Sequence, residues 1–200
     1  VYKRQAEAMG NRTNKLIEAS MALLQAAPDG QLNIVVLNKG LFYLDLIALR
    51  DVGRTVTGQR YVALPQGPVV EGYGTKIVKA LEAAGLAEQL VDGRARPVRI
   101  TKRLPSFKCL TDTEVQLAGE VAKAVSPFTS RLLSDYSHHN SGWLLARRGA
   151  IEGLPAPEIN MRVALQQIAW ADDDDWMEAE PDEALAAEIE NAQHAVTVWE

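Results

Sequence analysis

From Leu32 to Leu49 the chain is apolar at nearly every position, broken only by Asn33, Asn38, Lys39 and Asp45. A helix written this way is apolar on most of its sides, so most of its sides have to be covered. No uninterrupted apolar run approaches the roughly 20 residues that a membrane helix needs. The stretch therefore predicts a central core helix, from about Leu32 to Asp51 and ended by Gly53, around which the rest of the chain must pack. A hydrophobic fraction of 47% against a charged fraction of 24% supplies the apolar surface to do so.

The neighbouring segments follow the same reading. Leu16, Ile17, Met21, Leu23, Leu24 and Ala27 share one face of a helix over residues 12–27, closed by Pro28-Asp29-Gly30. Thr55 to Pro68 is polar and irregular, with a short extended piece at Tyr61-Val62-Ala63-Leu64. A third helix is expected from about Val69 to Ala84, with Gly85 at its C-terminal end. Leu86 to Val91 and Pro97 to Lys102, on either side of Asp92-Gly93, predict a small β-hairpin. Thr111 and Glu114 have capping-box spacing and open a helix through about Val125. Ser126-Pro127 predicts the start of another, which ends near His138-His139-Asn140. Asn140 or Ser141 then caps a short helix carrying Trp143. Gly149 to Pro157 is a connector, and residues 160–171 and 182–197 predict two further helices. The expected fold class is mainly α: a single compact helical domain over residues 9–157 with a small β-hairpin, followed by a helical, acidic appendage over residues 158–200. Residues 1–8 read as an extension ahead of a start at Met9.

Charge is distributed unevenly. Residues 172–200 hold eleven acids and no Lys or Arg, beginning with Asp172, Asp173, Asp174 and Asp175. The rest of the chain holds the other 15 of the 26 acids against all 21 bases, so a net charge of −5 conceals about +6 followed by −11. Such asymmetry points to an interaction element. Trp176 and Trp199 lie within the acidic stretch, and tryptophan is favoured at the energetic centres of interfaces, so these six residues are candidate partner contacts. Cys109 is the only cysteine. It forms no intrachain disulfide, which fits the cytoplasm.

Chemistry-bearing patterns are incomplete. Gly67 and Gly72 have P-loop spacing, but Tyr73 follows in place of Lys. Gly72-Tyr73-Gly74 lacks the third glycine of a dinucleotide fingerprint, and no nucleophile elbow is present. His138 and His139 are adjacent, which on a helix sets them about 100° apart, whereas two ligands on one helix face need i, i+3 or i+4 spacing. No catalytic residue, metal ligand or cofactor is therefore assigned. Arg94, Arg96, Arg99, Lys102 and Arg103 cluster on the expected hairpin. A helix followed by a basic hairpin allows a DNA-binding regulator as an alternative function. A hydrolase using His138 and Asp135 stands third.

Four ordered stretches resemble the Panacea domain of SocA-like and phage-associated GepA-like proteins. Leu37-Asn38-Lys39-Gly40-Leu41-Phe42-Tyr43-Leu44-Asp45 is similar to the family's Lys-Leu-Leu-Tyr-Phe-type helix. Gly53 to Ala63 resembles its Gly-x-Pro-(Ile/Val)-Thr-Gly stretch, with Val56 following Thr55 where proline is common. Gln66-Gly67-Pro68-Val69 resembles its Gly-Pro-Val element, and His138 with Trp143 its His and Trp pair. The resemblance covers about Leu16 to Gly149. It implies an antitoxin that neutralises a cognate toxin by protein–protein binding, in a bacterium or phage. It also implies a possible second partner, a protease to which the toxin is delivered. Lys39, Tyr43, Asp45, Gly67, Pro68, His138 and Trp143 are its motif residues, structural or partner-binding, and the resemblance implies no catalytic residues and no enzyme activity.

Overall fold

The computed structural model describes the backbone of residues 2–170 and the side chains of residues 13–166. The expected second tail helix, the Asp172–Asp175 run, Trp176 and Trp199 lie outside the described residues. The apolar run forms helix α2, Ile34–Val52, and every residue from Val36 to Ala48 is buried. The Asn33 side chain caps it by accepting from Val35 N, 3.0 Å. Gly53 ends it in the left-handed region, φ 72°, a conformation glycine adopts without a Cβ penalty.

Three other helices and a strand cover α2. Helix α1, Tyr2–Ala26, packs Leu16, Ala19, Leu23 and Leu24 inward. Helix α4, Asp112–Val125, carries the complete Thr111–Glu114 capping box, and helix α5, Ser130–His138, follows. Gly40 lets α1 and α4 close on the centre of α2, since a Cβ there would sit 3.3 Å from Leu23 and 3.7 Å from Val125. The Glu18 carboxylate of α1 accepts from the backbone N–H groups of Lys108, Cys109 and Leu110 at 2.9, 2.7 and 3.2 Å. One side chain thus ties down the irregular segment that leads into α4.

Two small antiparallel sheets flank the helices. Strands β1 (Gln31–Asn33), β4 (Ala87–Gln89) and β5 (Pro97–Ile100) form a sheet of order β1-β5-β4. Leu32 opposes Val98 on its buried side, while Gln31, Arg99 and Glu88 line its exposed side. Strands β2 (Tyr61–Leu64) and β3 (Gly67–Val70) make a hairpin closed by Pro65-Gln66. Helices α6 (Ser141–Arg148) and α7 (Met161–Trp170) complete the described chain. Among the described residues no helix is long and apolar enough to cross a membrane.

The mainly α class and the β4–β5 hairpin agree with the sequence reading, and four boundaries differ. Helix α1, expected from residue 12, begins at Tyr2. The core helix was expected from Leu32, but Gln31–Asn33 pairs with β5, so the hairpin belongs to a three-stranded sheet. The third helix was expected from Val69. Instead Val69 and Val70 are strand residues opposite Val62 and Tyr61, and the Val70 N–H donates to the Asn38 side chain of α2, 3.1 Å. Helical structure starts only with a π-helical segment, Gly74–Lys79, continued by α3, Ala80–Ala83. Ser126-Pro127 was expected to open a helix. Ser126 N instead still bonds Ala122 O of α4, and the Thr129 hydroxyl, accepting from Leu132 N at 3.2 Å, caps α5 three residues later than expected.

Helix α7 crosses α6 at Gly142, where an added Cβ would lie 2.7 Å from Ala164 Cβ and 2.9 Å from its backbone nitrogen. The Asn140 amide, which caps α6, donates onward to Ala164 O, 3.1 Å. On helix propensity alone, Gly142→Ala would stabilise α6 by about 1 kcal/mol. Backbone on the far side of the contact cannot move aside cheaply, so we predict a net loss of about 1–2 kcal/mol in chemical denaturation. A stabilised variant would show that the crossing is looser than described.

Candidate functional site

The turn between β2 and β3 brings most of the motif residues together. Lys39 projects from the middle of α2, fully buried, and its ammonium donates to Gln66 O at 2.7 Å and Pro68 O at 2.9 Å. The Ser134 hydroxyl, from α5, also donates to Gln66 O, 2.6 Å, and that of Ser137 donates to Ser134 O, 2.6 Å. One turn further along, His138 donates to the Pro65 carbonyl. Trp143 Nε1, from α6, donates to Leu64 O at 3.0 Å, and the Arg147 guanidinium reaches Ala63 O at 3.5 Å. Five carbonyls of one hairpin end, at Ala63, Leu64, Pro65, Gln66 and Pro68, are thus held by side chains from three helices.

Gly67 sits where these groups converge. Its φ is 97°, and a Cβ there would fall on the Ser137 hydroxyl and 2.6 Å from Lys39 Nζ. Glycine is required by the backbone angle and by space at once. The imidazole of His138 stacks on the Trp143 indole, centroids 4.2 Å apart and planes inclined by 15°. Burial, and then the charge of Lys39, hold His138 below its ordinary pKa, so the ring is neutral at pH 7. With Nδ1 donating to Pro65, its Nε2 is buried without a hydrogen-bond partner.

Asp45, six residues beyond Lys39 on α2 and also fully buried, organises a second cluster. Its carboxylate accepts from Thr57 N at 2.8 Å and contacts the Thr57 hydroxyl closely. The Tyr61 hydroxyl lies 2.9 Å from Asp45 Oδ2 and 2.8 Å from Leu41 O, with one proton to share between them. Burial raises the Asp45 pKa, against the opposing effect of the Thr57 and Tyr61 hydrogen bonds. Tyr43 is buried on the same helix, edge-on to Phe42 at 5.6 Å, and burial raises its pKa.

Lys39, Gly67, Pro68, His138 and Trp143 therefore meet at one turn. Asp45 lies apart from them, against the Thr57-Gly58 stretch, and Tyr43 packs in the core. The acidic candidates, Asp172, Asp173, Asp174 and Asp175 with Trp176 and Trp199, fall outside the described residues. Ser134, Ser137 and Arg147 take part in these clusters but carried no motif signal, and Tyr61 lies within a motif stretch without being singled out. The spacing of Ser134, Ser137 and His138 on one helix face was the only hint available. In chemical terms the arrangement is a clamp, because its donors point at backbone carbonyls of the same chain. Among the described residues no group of three or more His, Cys, Asp or Glu could hold a metal ion.

Residues 37–144 match the family model described as Antitoxin SocA-like, Panacea domain, just over half of the chain. The matched stretch includes every residue of the clamp except Arg147. No curated protein and no solved structure matches the chain.

Burial pulls the Lys39 pKa from 10.5 down to about 7. The unfolded chain holds that proton up to the ordinary value, the folded chain only to about 7. The folded state therefore gains stability as pH rises through the interval, and loses it as pH falls towards the folded value. Between about pH 7 and pH 9 the wild type should gain about 2 kcal/mol relative to Lys39→Met, read by urea denaturation at each pH. Tyr43 and Tyr61, both raised by burial, oppose this only at higher pH. Parallel pH profiles for the two chains would show that Lys39 is not the group responsible.

Proposed function

We propose that this chain, which belongs to the SocA-like Panacea antitoxin family, neutralises a cognate protein toxin by binding it directly. The family match over residues 37–144 is the observation that carries this reading. The clamp supports it indirectly. Lys39, Ser134, His138 and Trp143 direct their hydrogen bonds to the chain's own hairpin. These hydrogen bonds hold the fold, and recognition of a partner falls to other surfaces. The mechanism is occlusion of the toxin's active or substrate-binding site, with no chemical step performed by this chain.

The acidic stretch is the proposed recognition element. Residues 172–200 carry eleven acids and no Lys or Arg, with Trp176 and Trp199 among them. A toxin that acts on nucleic acids or nucleotides needs a positively charged site. A segment bearing Asp172, Asp173, Asp174 and Asp175 would cover such a site as its substrate does, and the two indoles would anchor it. Rim charges chiefly accelerate association and make it salt-dependent, whereas a buried tryptophan slows dissociation. Screening acts over about 8 Å at physiological salt, so only close pairs contribute.

Truncation after Ala171, assayed against the product of the neighbouring reading frame, tests the assignment. We predict weaker and less salt-sensitive binding and poorer rescue of growth, with the thermal transition of the remaining domain retained. Unchanged affinity across a salt series would move the interface onto the domain. Failure of the full chain to bind or to rescue would overturn the antitoxin reading itself.

A further inference from the structure

We infer that the domain also carries a docking surface for duplex DNA, formed by the β4–β5 hairpin and the helical segment that precedes it. The first observation is the wiring. Helix α1, strand β1, helix α2, the helical segment from Gly74 to Ala83 and the β4–β5 hairpin follow one another in the chain. β1 pairs with the second strand of that hairpin, giving the order β1-β5-β4. This is the arrangement of a winged-helix domain, with the β2–β3 hairpin inserted between the second and third helices. In such domains the third helix faces a groove and the hairpin, the wing, touches phosphates. Shared wiring is an analogy and does not establish function; the charge that the wing carries is what points to DNA.

Between Glu71 and Arg103 there are seven basic residues and four acidic ones. Arg94, Arg96, Arg99, Lys102 and Arg103 are all exposed on or beside the wing, and Lys79 is exposed on the helix. Arg99 is matched by Glu88 at 2.8 Å. The other wing cations have no acidic partner within the described chain. Arg96 Nη1 donates only to the backbone carbonyls of Gly93 and Ala95, both at 2.9 Å, which fixes the guanidinium at the wing tip without neutralising it. Arg103 likewise bonds a backbone carbonyl, that of Gln25, at 3.3 Å. An oriented guanidinium with an uncompensated charge matches phosphate geometry.

The helix offers little to read bases with. Its exposed polar side chains are Thr75, Lys79 and Glu82, and phosphate contacts position a protein without specifying sequence. The surface therefore binds duplex DNA in a sequence-tolerant and salt-dependent way. This inference does not rest on the antitoxin reading, because DNA retention and toxin neutralisation are read in separate assays.

The test uses the full chain and a fluorescent 30-base-pair duplex of scrambled sequence, with anisotropy followed from 20 to 150 mM salt. About four phosphate contacts correspond to a slope of log K against log salt of about −3 to −4. The R94A/R96A/K102A variant, with its thermal transition checked, should bind at least tenfold more weakly and lose about 2–3 units of that slope. Substituting Lys123, exposed on α4, with Ala should change neither. Absence of binding at 20 mM salt, or wild-type binding by the triple variant, would overturn the inference. Equal competition by polyglutamate would overturn it in favour of an acidic protein partner.

Discussion

An ammonium group buried in the middle of an apolar helix has to find oxygen atoms within its own reach, and Lys39 finds them on the Gln66 and Pro68 carbonyls. Much of the structure follows from that requirement. The β2–β3 turn must come down onto α2, so position 67 must be glycine, and α5 and α6 close over the turn with Ser134, His138 and Trp143. Burial depresses the Lys39 pKa, so desolvation of the ammonium works against its burial. A buried ion is in general weak evidence for stability, and its best-attested use is to fix registry. Here the neighbouring residue adds to that role: Asn38 accepts from Val70 N and donates to Ile34 O, so two consecutive residues of α2 set where β3 lies.

The parts of the fold that were legible in sequence are those with a one-residue or periodic signature. The apolar run gave α2, the Thr111 capping box gave the start of α4, Asn140 gave α6, and Gly53 and Gly85 marked two helix ends. β1 was not legible because three residues are too few to show alternation. β3 was missed because Val69-Val70 after Gly-Pro suits either a strand or a buried helix, and the Asn38 side chain that decides the matter is distant in sequence. α5 began later than expected because Ser126 remains bonded to α4, a tertiary outcome that its own residue type does not encode.

The site was legible in outline for a similar reason. Lys39, Gly67, Pro68, His138 and Trp143 could be singled out as residue types, and the structure brings them to one turn. Their partners could not be singled out, because a backbone carbonyl is present at every position and leaves no trace in residue identity. Ser134, Ser137 and Arg147 are ordinary surface-type residues until the turn they hold is known. A scaffold whose motif side chains face inward leaves its outer surface free for other contacts. In this chain that surface carries a basic wing, and the sequence carries an acidic C-terminal stretch.

Lys39 is a desolvated ammonium holding the turn, and its titration can be followed directly. With carbon-13 placed at lysine Cε, nuclear magnetic resonance of the free chain should show one lysine titrating at about 7, well separated from the rest, and that signal should be missing from Lys39→Met. A single set of lysine signals titrating together near 10.5, the ordinary value, would mean that Lys39 reaches water and that the clamp does not exist as described.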